Sequence, residues 1–260
     1  MNASQLPLAS RHALVTGASR GIGAAIARSL ANAGANLTLV GRDRNALQTV
    51  AASLHGVQAS CQVADVGDAV AVRGAVTAAR AALGPISVLI NNAGQAGSAP
   101  LPRITDDLWA QMLATNLTGS FLFMRECIAD MVAAKYGRIV NVVSTAGLTG
   151  YSYVAAYCAA KHAVIGLTRA AALEYAQRGV TINAVCPGYT DTDLVRSAVA
   201  NIREKTGRST DEALAELVKT NPQGRLVRPE EVANATLWLC SPGSESVTGQ
   251  SIVVAGGEVM

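Results

Sequence analysis

The chain has 260 residues, 50% of them hydrophobic and 15% charged, with a formal net charge of +3. Such a length and apolar fraction suffice for a large buried core, and a charge so mild and scattered argues against a nucleic-acid partner. No run approaches the roughly 20 apolar residues of a membrane span, no charged-then-apolar leader is read at the start, and Cys61, Cys127, Cys158, Cys186 and Cys240 form no C-x-x-C pair, so reduced thiols in a cytoplasmic protein are expected.

Residues 12–15 read as a short buried strand, followed at once by a glycine-rich turn over 16–23. Ile22, Ala25, Ile26, Leu30 and Ala33 then recur at helical spacing, and Gly34 ends that helix. A glycine turn between strand and helix is the setting of a dinucleotide loop: it turns tightly, lets backbone approach the ligand and aims a helix N-terminus at pyrophosphate. An ordinary strand-to-helix turn is the bland alternative. Strands are expected next at 37–40, 57–63 and 86–90, with helices at 45–54 and, behind the acidic cap Asp68, at 68–83. Helical patterns fill 105–134, a fifth strand spans 138–143, a long helix 153–178 and a sixth strand 180–185. A looser segment, 187–224, precedes a helix at 229–240 and a last strand at 251–254. Strands alternating with helices predict one α/β domain over 1–260, a Rossmann-like doubly wound parallel sheet of about seven strands with helices on both faces.

Tyr157 and Lys161 fall on the long helix at i and i+4, on one face, with Ser144 at the end of the fifth strand. A phenol with an ordinary pKa of roughly 10 is a poor acid or base at neutral pH. A neighbouring ammonium favours the phenolate, and a hydroxyl such as Ser144 can hold a carbonyl against the phenol. The three make a proton-delivery device for carbonyl reduction or alcohol oxidation. Alone, the Tyr–Lys spacing is more often that of a solvated or packing pair. His12, His55 and His162 lack metal-ligand spacing, and no metal is expected.

Together these blocks resemble the short-chain dehydrogenase/reductase family, nearly end to end: the glycine loop, Asn91-Asn92-Ala93-Gly94, Asn116 within Thr115-Asn116-Leu117-Thr118-Gly119, Ser144, Tyr157 with Lys161, and Pro187-Gly188 after the sixth strand. Asn183-Ala184-Val185-Cys186-Pro187-Gly188 and the glycines Gly249, Gly256 and Gly257 look most like 3-oxoacyl thioester reductases and aromatic polyketide ketoreductases. The resemblance implies that Tyr157 donates a proton to the substrate oxygen. It further implies that Lys161 lowers the Tyr157 pKa and binds the nicotinamide ribose, that Ser144 polarises the carbonyl, and that Asn116 holds a relay water. An Asn bonding helix backbone is the bland alternative for Asn116.

The same resemblance implies a cofactor site of Gly17, Ser19, Arg20, Gly21, Ile22, Gly23, Asp65, Val66, Asn91, Ala93, Gly94, Tyr157, Lys161, Pro187, Gly188, Thr190 and Thr192. NAD binders usually end the second strand on an acidic residue; here Gly41-Arg42-Asp43 stands there, and Arg42 with Arg20 points to NADP(H) over NAD. Two solvated arginines, or an Asp43 turned inward, are the competing readings.

Residues 190–224 are expected to form a substrate lid, with Leu194, Val195, Val199, Ile202, Leu214, Leu217 and Val218 as an apolar wall or as plain helix packing. Arg196, Arg203, Lys205, Arg208, Lys219 and Arg225 are candidates for a phosphopantetheine phosphate or, with their interleaved acids, a solvated face. The expected activity is NADP(H)-dependent reduction of a 3-oxoacyl thioester carried by coenzyme A or acyl carrier protein. The alternatives are another secondary alcohol or ketone, and a non-catalytic nucleotide sensor. A homotetramer without membrane or nucleic-acid partners is expected, with Ala170 to Ala172 and residues 251–255 as close-contact surfaces.

Overall fold

Seven strands, β1 (His12–Thr16), β2 (Asn36–Gly41), β3 (Ala59–Val63), β4 (Val88–Asn91), β5 (Gly137–Val142), β6 (Val180–Pro187) and β7 (Ser251–Val254), pair in parallel in the order β3-β2-β1-β4-β5-β6-β7. The computed structural model of the protein describes residues 6–260, less the side chains of Leu194, Asn201, Ile202 and Lys205. Strand side chains alternate between faces: Ala13 and Val15 enter one hydrophobic cluster, Leu14 the other. Helices α1 (Gly21–Asn32), α2 (Arg44–Ala52) and α9 (Pro229–Cys240) cover the first face; α3 (Ala69–Leu83), α5 (Gly119–Ala133) and α6 (Ala155–Tyr175) cover the second. Both faces being buried, the central strands are mainly apolar, as doubly covered parallel strands are, with a few buried polar side chains such as His12, Asn91 and Asn141 among them. This is the Rossmann-like doubly wound architecture expected.

The chain runs outward from β1 to β3, then returns to lay β4 beside β1. That reversal opens a crevice at the carboxyl ends of β1 and β4, where open parallel sheets bind ligands.

Several boundaries differ from expectation for identifiable reasons. The third strand begins at Ala59, two residues late, because its register is set by β2, where Leu37 pairs with Ala59. The helical stretch over 105–134 is two helices, α4 (Asp106–Leu113) and α5, joined by a π-helical turn at Ala114–Thr118. The segment read as loose, 187–224, holds α7 (Asp193–Thr206) and α8 (Thr210–Val218). The second starts on a capping box, Ser209 accepting from the Glu212 N–H while the Glu212 carboxylate accepts from the Ser209 N–H.

Candidate active site

The turn after β1 closes on itself through backbone contact. Gly17 and Gly21 adopt φ of +64° and +53°, in the left-handed region that glycine tolerates. A Cβ on Gly23 would sit 2.2 Å from the Gly17 carbonyl oxygen, so α1 can start this close to the loop only with glycine there. Asn92, just past β4, braces the turn. Its amide donates to the Thr16 and Gly17 carbonyls at 3.0 and 3.2 Å, while Thr16 Oγ1 accepts from the backbone N–H groups of Asn92 and Ala93, both at 3.0 Å.

A cleft of about 350 Å³ follows the crevice from this turn. Gly17, Ser19, Arg20, Gly21, Ile22, Gly23, Arg42, Asp65, Val66, Ala93, Gly94 and Thr192 all line it, as do Asn92, Gln95, Thr115, Asp193 and Ser197, which sequence reasoning missed. No side chain caps α1, leaving its leading N–H groups open to an anion. Arg42 stands exposed on the cleft wall, and Arg20 is held 3.7 Å from Asp193. A glycine cradle that any Cβ would fill, an open helix start and two cations fit a pyrophosphate-bridged dinucleotide carrying an extra phosphate. Asp43 does not turn inward; it caps α2, accepting from Ala46 N–H at 3.1 Å. Asp65 Oδ1 accepts from Gly67 N–H at 2.9 Å, while Asp68 takes the cap of α3.

Six residues expected at the cofactor do not line the cleft: Asn91, Tyr157, Lys161, Pro187, Gly188 and Thr190. Asn91 points into the core, where its amide donates to Asn141 Oδ1 at 2.9 Å and to the Ser120 carbonyl. Alternation at the end of β4 gives the core to Asn91 and the cleft to Asn92. Pro187 ends β6, Gly188 N–H donates to the Val254 carbonyl, and buried Thr190 turns its hydroxyl to the Gly188 carbonyl at 3.0 Å.

Beyond the Gly94 end of the cleft lie the titratable groups. Ser144 ends the extended segment after β5 and its hydroxyl accepts from Ala146 N–H at 3.1 Å. Burial pushes the Tyr157 phenol up to about 12, and the Ser144 side chain, hydrogen-bonded to it, pulls the other way. Burial likewise lowers Lys161 to about 8. The ammonium lies 5.7 Å from the Tyr157 ring centroid and donates to the Val142 carbonyl at 3.1 Å. The expected depression of the Tyr157 pKa by Lys161 is therefore not what this arrangement gives: desolvation outweighs a cation engaged elsewhere. Asn116 sits in the π-helical turn and bonds backbone, its amide donating to the Gln95 and Met112 carbonyls at 2.9 and 3.1 Å. A Cβ on Gly94 would lie only 2.9 Å from Asn116 Oδ1, with Lys161 Nζ 3.6 Å away, so glycine here leaves room for the Asn116 oxygen beside the cleft floor and both polar atoms flank it.

The apolar wall is packing: Val195 and Val199 are buried with Ala213, and Leu214 and Leu217 pack on them. Leu194, Ile202 and Lys205 have side chains outside those described. Arg196 pairs with Asp191 and Asp193, Arg208 with Glu216 and Arg225 with Glu231, so these cations form a solvated, paired face.

Residues 11–203 match a family model described as short chain dehydrogenase. The chain is 38% identical over 252 residues to a putative ketoacyl reductase of Streptomyces coelicolor, covering 95% of this chain and 97% of that one. It is 36% identical over 255 residues to a D-beta-hydroxybutyrate dehydrogenase of Cupriavidus necator, covering 97% and 99%. A crystal structure of an actinorhodin polyketide ketoreductase variant with NADPH superposes with a TM-score of 0.92 at 38% identity, covering 95% of this chain and 97% of the other.

Proposed function

This chain belongs to the short-chain dehydrogenase family, and from that premise we propose that it is an NADPH-dependent reductase converting a 3-oxoacyl thioester to its 3-hydroxyacyl form. The observation that carries the reading is Tyr157: a phenol kept protonated by burial, partnered by Ser144 and flanked by Lys161, at the end of a cleft fitted to a dinucleotide. Likeness to a ketoacyl reductase, a polyketide ketoreductase and a 3-hydroxy acid dehydrogenase supports a ketone two carbons from an acyl carbon.

NADPH, when bound, supplies the hydride. The chain's own residues hold the ketone and move the proton. Ser144 donates a hydrogen bond to the ketone oxygen. Tyr157 gives that oxygen its phenolic proton. Lys161, cationic below about pH 8, steadies the phenolate left behind, and Asn116 Oδ1 beside it offers an anchor for a relay water. Arg42 and Arg20 would hold the phosphates, the first selecting the 2′-phosphate, over a floor of Gly17, Ser19, Gly21, Ile22 and Gly23. Asp65, Val66, Ala93, Gly94 and Thr192, which line the same cleft, would hold the adenine, its ribose and the remaining phosphate. Asn91, Pro187, Gly188 and Thr190 act from behind, by fixing the strand ends.

Among the described residues no helix is long and apolar enough to cross a membrane. We further place the protein in the cytoplasm, as a homotetramer. Of the residues expected at subunit contacts on α6, Ala171 and Ala172 belong to the chain's own core, while Ala170 is exposed. The better candidates are Phe121 on α5 and Leu173 on α6, 43% and 83% exposed, together with β7, the last strand of the sheet. The test of the activity is a panel of 3-oxoacyl thioesters, simple ketones and sugars, each with NADPH and NADH. Highest kcat/KM on a 3-oxoacyl thioester with NADPH is expected; a simple alcohol or sugar far above any thioester overturns the substrate reading.

A further inference from the structure

Glu258 follows β7 and reaches three separate segments around the reactive groups. The Tyr151 hydroxyl lies 2.7 Å from Glu258 Oε1, to which it donates, and 2.8 Å from Thr145 Oγ1, next to Ser144 in the chain. The Thr220 hydroxyl, from the segment after α8, donates to the same carboxylate oxygen at 3.0 Å. A Cβ on Gly188 would come within 2.7 Å of Glu258 Oε2, so glycine there makes room for the carboxylate. The Tyr151 and Tyr189 rings meet edge to face at 6.5 Å, and the Tyr189 phenol, raised first by burial and then by the Glu258 charge, in turn raises Tyr157. Through the Tyr151 hydroxyl the carboxylate is thus tied to Thr145, the residue that follows Ser144.

Nothing nearby neutralises it. Its partners are hydroxyls, and among the described residues Glu258 forms no ion pair. The site's one buried ammonium, Lys161, is turned into the fold toward Val142. A 3-oxo substrate grips Ser144 and Tyr157 through its ketone oxygen. An acyl end, two carbons away, that extends toward Tyr151 would come under the field of the Glu258 negative charge.

We propose that Glu258 is a specificity-determining residue that sorts 3-oxoacyl substrates by charge, admitting neutral acyl thioesters and turning away free 3-oxo acids. The inference rests on the 3-oxoacyl reductase reading above. A like charge a few ångströms from a bound anion penalises it, whereas a neutral isostere feels no such term. Selection against the wrong partner needs no extra contact with the right one.

The experiment compares acetoacetate with the neutral thioester S-acetoacetyl-N-acetylcysteamine, using NADPH, wild type and Glu258→Gln. Glutamine keeps an acceptor for Tyr151 and removes only the charge. The ratio of kcat/KM, acid over thioester, should rise about tenfold or more in the variant, the scale of one screened like-charge contact. A purely structural role would lower both substrates and leave the ratio where it was, and that result overturns the proposal. Should the variant fail to fold, wild type alone decides. Raising the salt concentration screens the repulsion and should lift acetoacetate relative to the thioester; a ratio indifferent to salt overturns the proposal. If wild type reduces both 3-oxo compounds equally well, the charge filter falls while the reductase reading stands. If it reduces neither but turns over an unrelated ketone, both fall.

Discussion

With its hydroxyl pushed up to about 12 by burial, Tyr157 carries its proton across the whole neutral range. Ketone reduction consumes that proton, so Tyr157→Phe should lower turnover by about 10²-fold or more, the usual scale of lost general-acid catalysis. Cofactor affinity, read by fluorescence titration, should stay within severalfold, because the phenol does not line the dinucleotide cleft. The pH dependence follows in sign from the two shifts. Reduction needs the phenol and a cationic Lys161, so its rate should be level through neutral pH and fall above about pH 8, where Lys161 loses its proton. Alcohol oxidation needs the phenolate beside that same cation, so it should climb through neutral pH by up to about tenfold per pH unit and level off above about pH 8. Parallel profiles in the two directions would contradict the assignment. For the cofactor, Arg42→Ala should weaken NADPH about tenfold or more and NADH far less, since a charge-assisted phosphate bond is lost only with the first. Equal losses would mean that Arg42 does not read the phosphate. At this scale the sequence was readable where spacing alone fixes geometry, as for Tyr157 and Lys161 one helical turn apart. It was not readable at Asn91-Asn92, two identical residues whose division of labour depends on which one β4 turns toward the core.

Among the elements, the glycine turn and α1 form the least forgiving unit. Gly23→Ala would drive a methyl group to 2.2 Å from the Gly17 carbonyl oxygen and 2.5 Å from the Asn92 amide nitrogen, and the first of these is backbone. Overpacking of this kind costs about 1–3 kcal/mol, so thermal melting should fall by several degrees. Cofactor binding should be lost more completely, since the shifted loop is the cradle itself; unchanged affinity would refute that account. The strand-helix alternation that defines this unit was legible because its hydrophobic periods are long and regular. The helices α7 and α8 were not, because their faces are broken by charges, although the Ser209-x-x-Glu212 capping box was a signal in plain view. The π-helical turn at Ala114–Thr118 has no signature in composition or period; such turns arise from the surrounding packing and cluster at functional sites.

At the scale of the molecule, the sheet buries its central strands on both faces and leaves two kinds of apolar surface outside. Phe121 and Leu173 project from α5 and α6, and β7 offers an unpaired edge. Exposed edges and large apolar side chains are liabilities that proteins usually cover. A tetramer should therefore appear in light scattering at micromolar concentration. Leu173→Glu should shift it toward smaller species without lowering the helical signal, and a monomeric wild type would refute the assembly. The fold class was legible from the alternation of elements, whereas the proposed subunit contacts would involve a surface whose partner the sequence cannot display.

The clamp between Asn92 and Thr16 joins residues 76 positions apart, and the cleft also needs Thr192 from far down the chain. No local stretch contains a binding site in miniature. The cleft exists only while three distant segments are in register at once, so its affinity works as a gauge of long-range order. A substitution remote from it that loosens the β1–β4 seam would first surface as weakened nucleotide retention, with the secondary structure still intact. In this protein a binding defect and a folding defect are neighbouring points on one continuum.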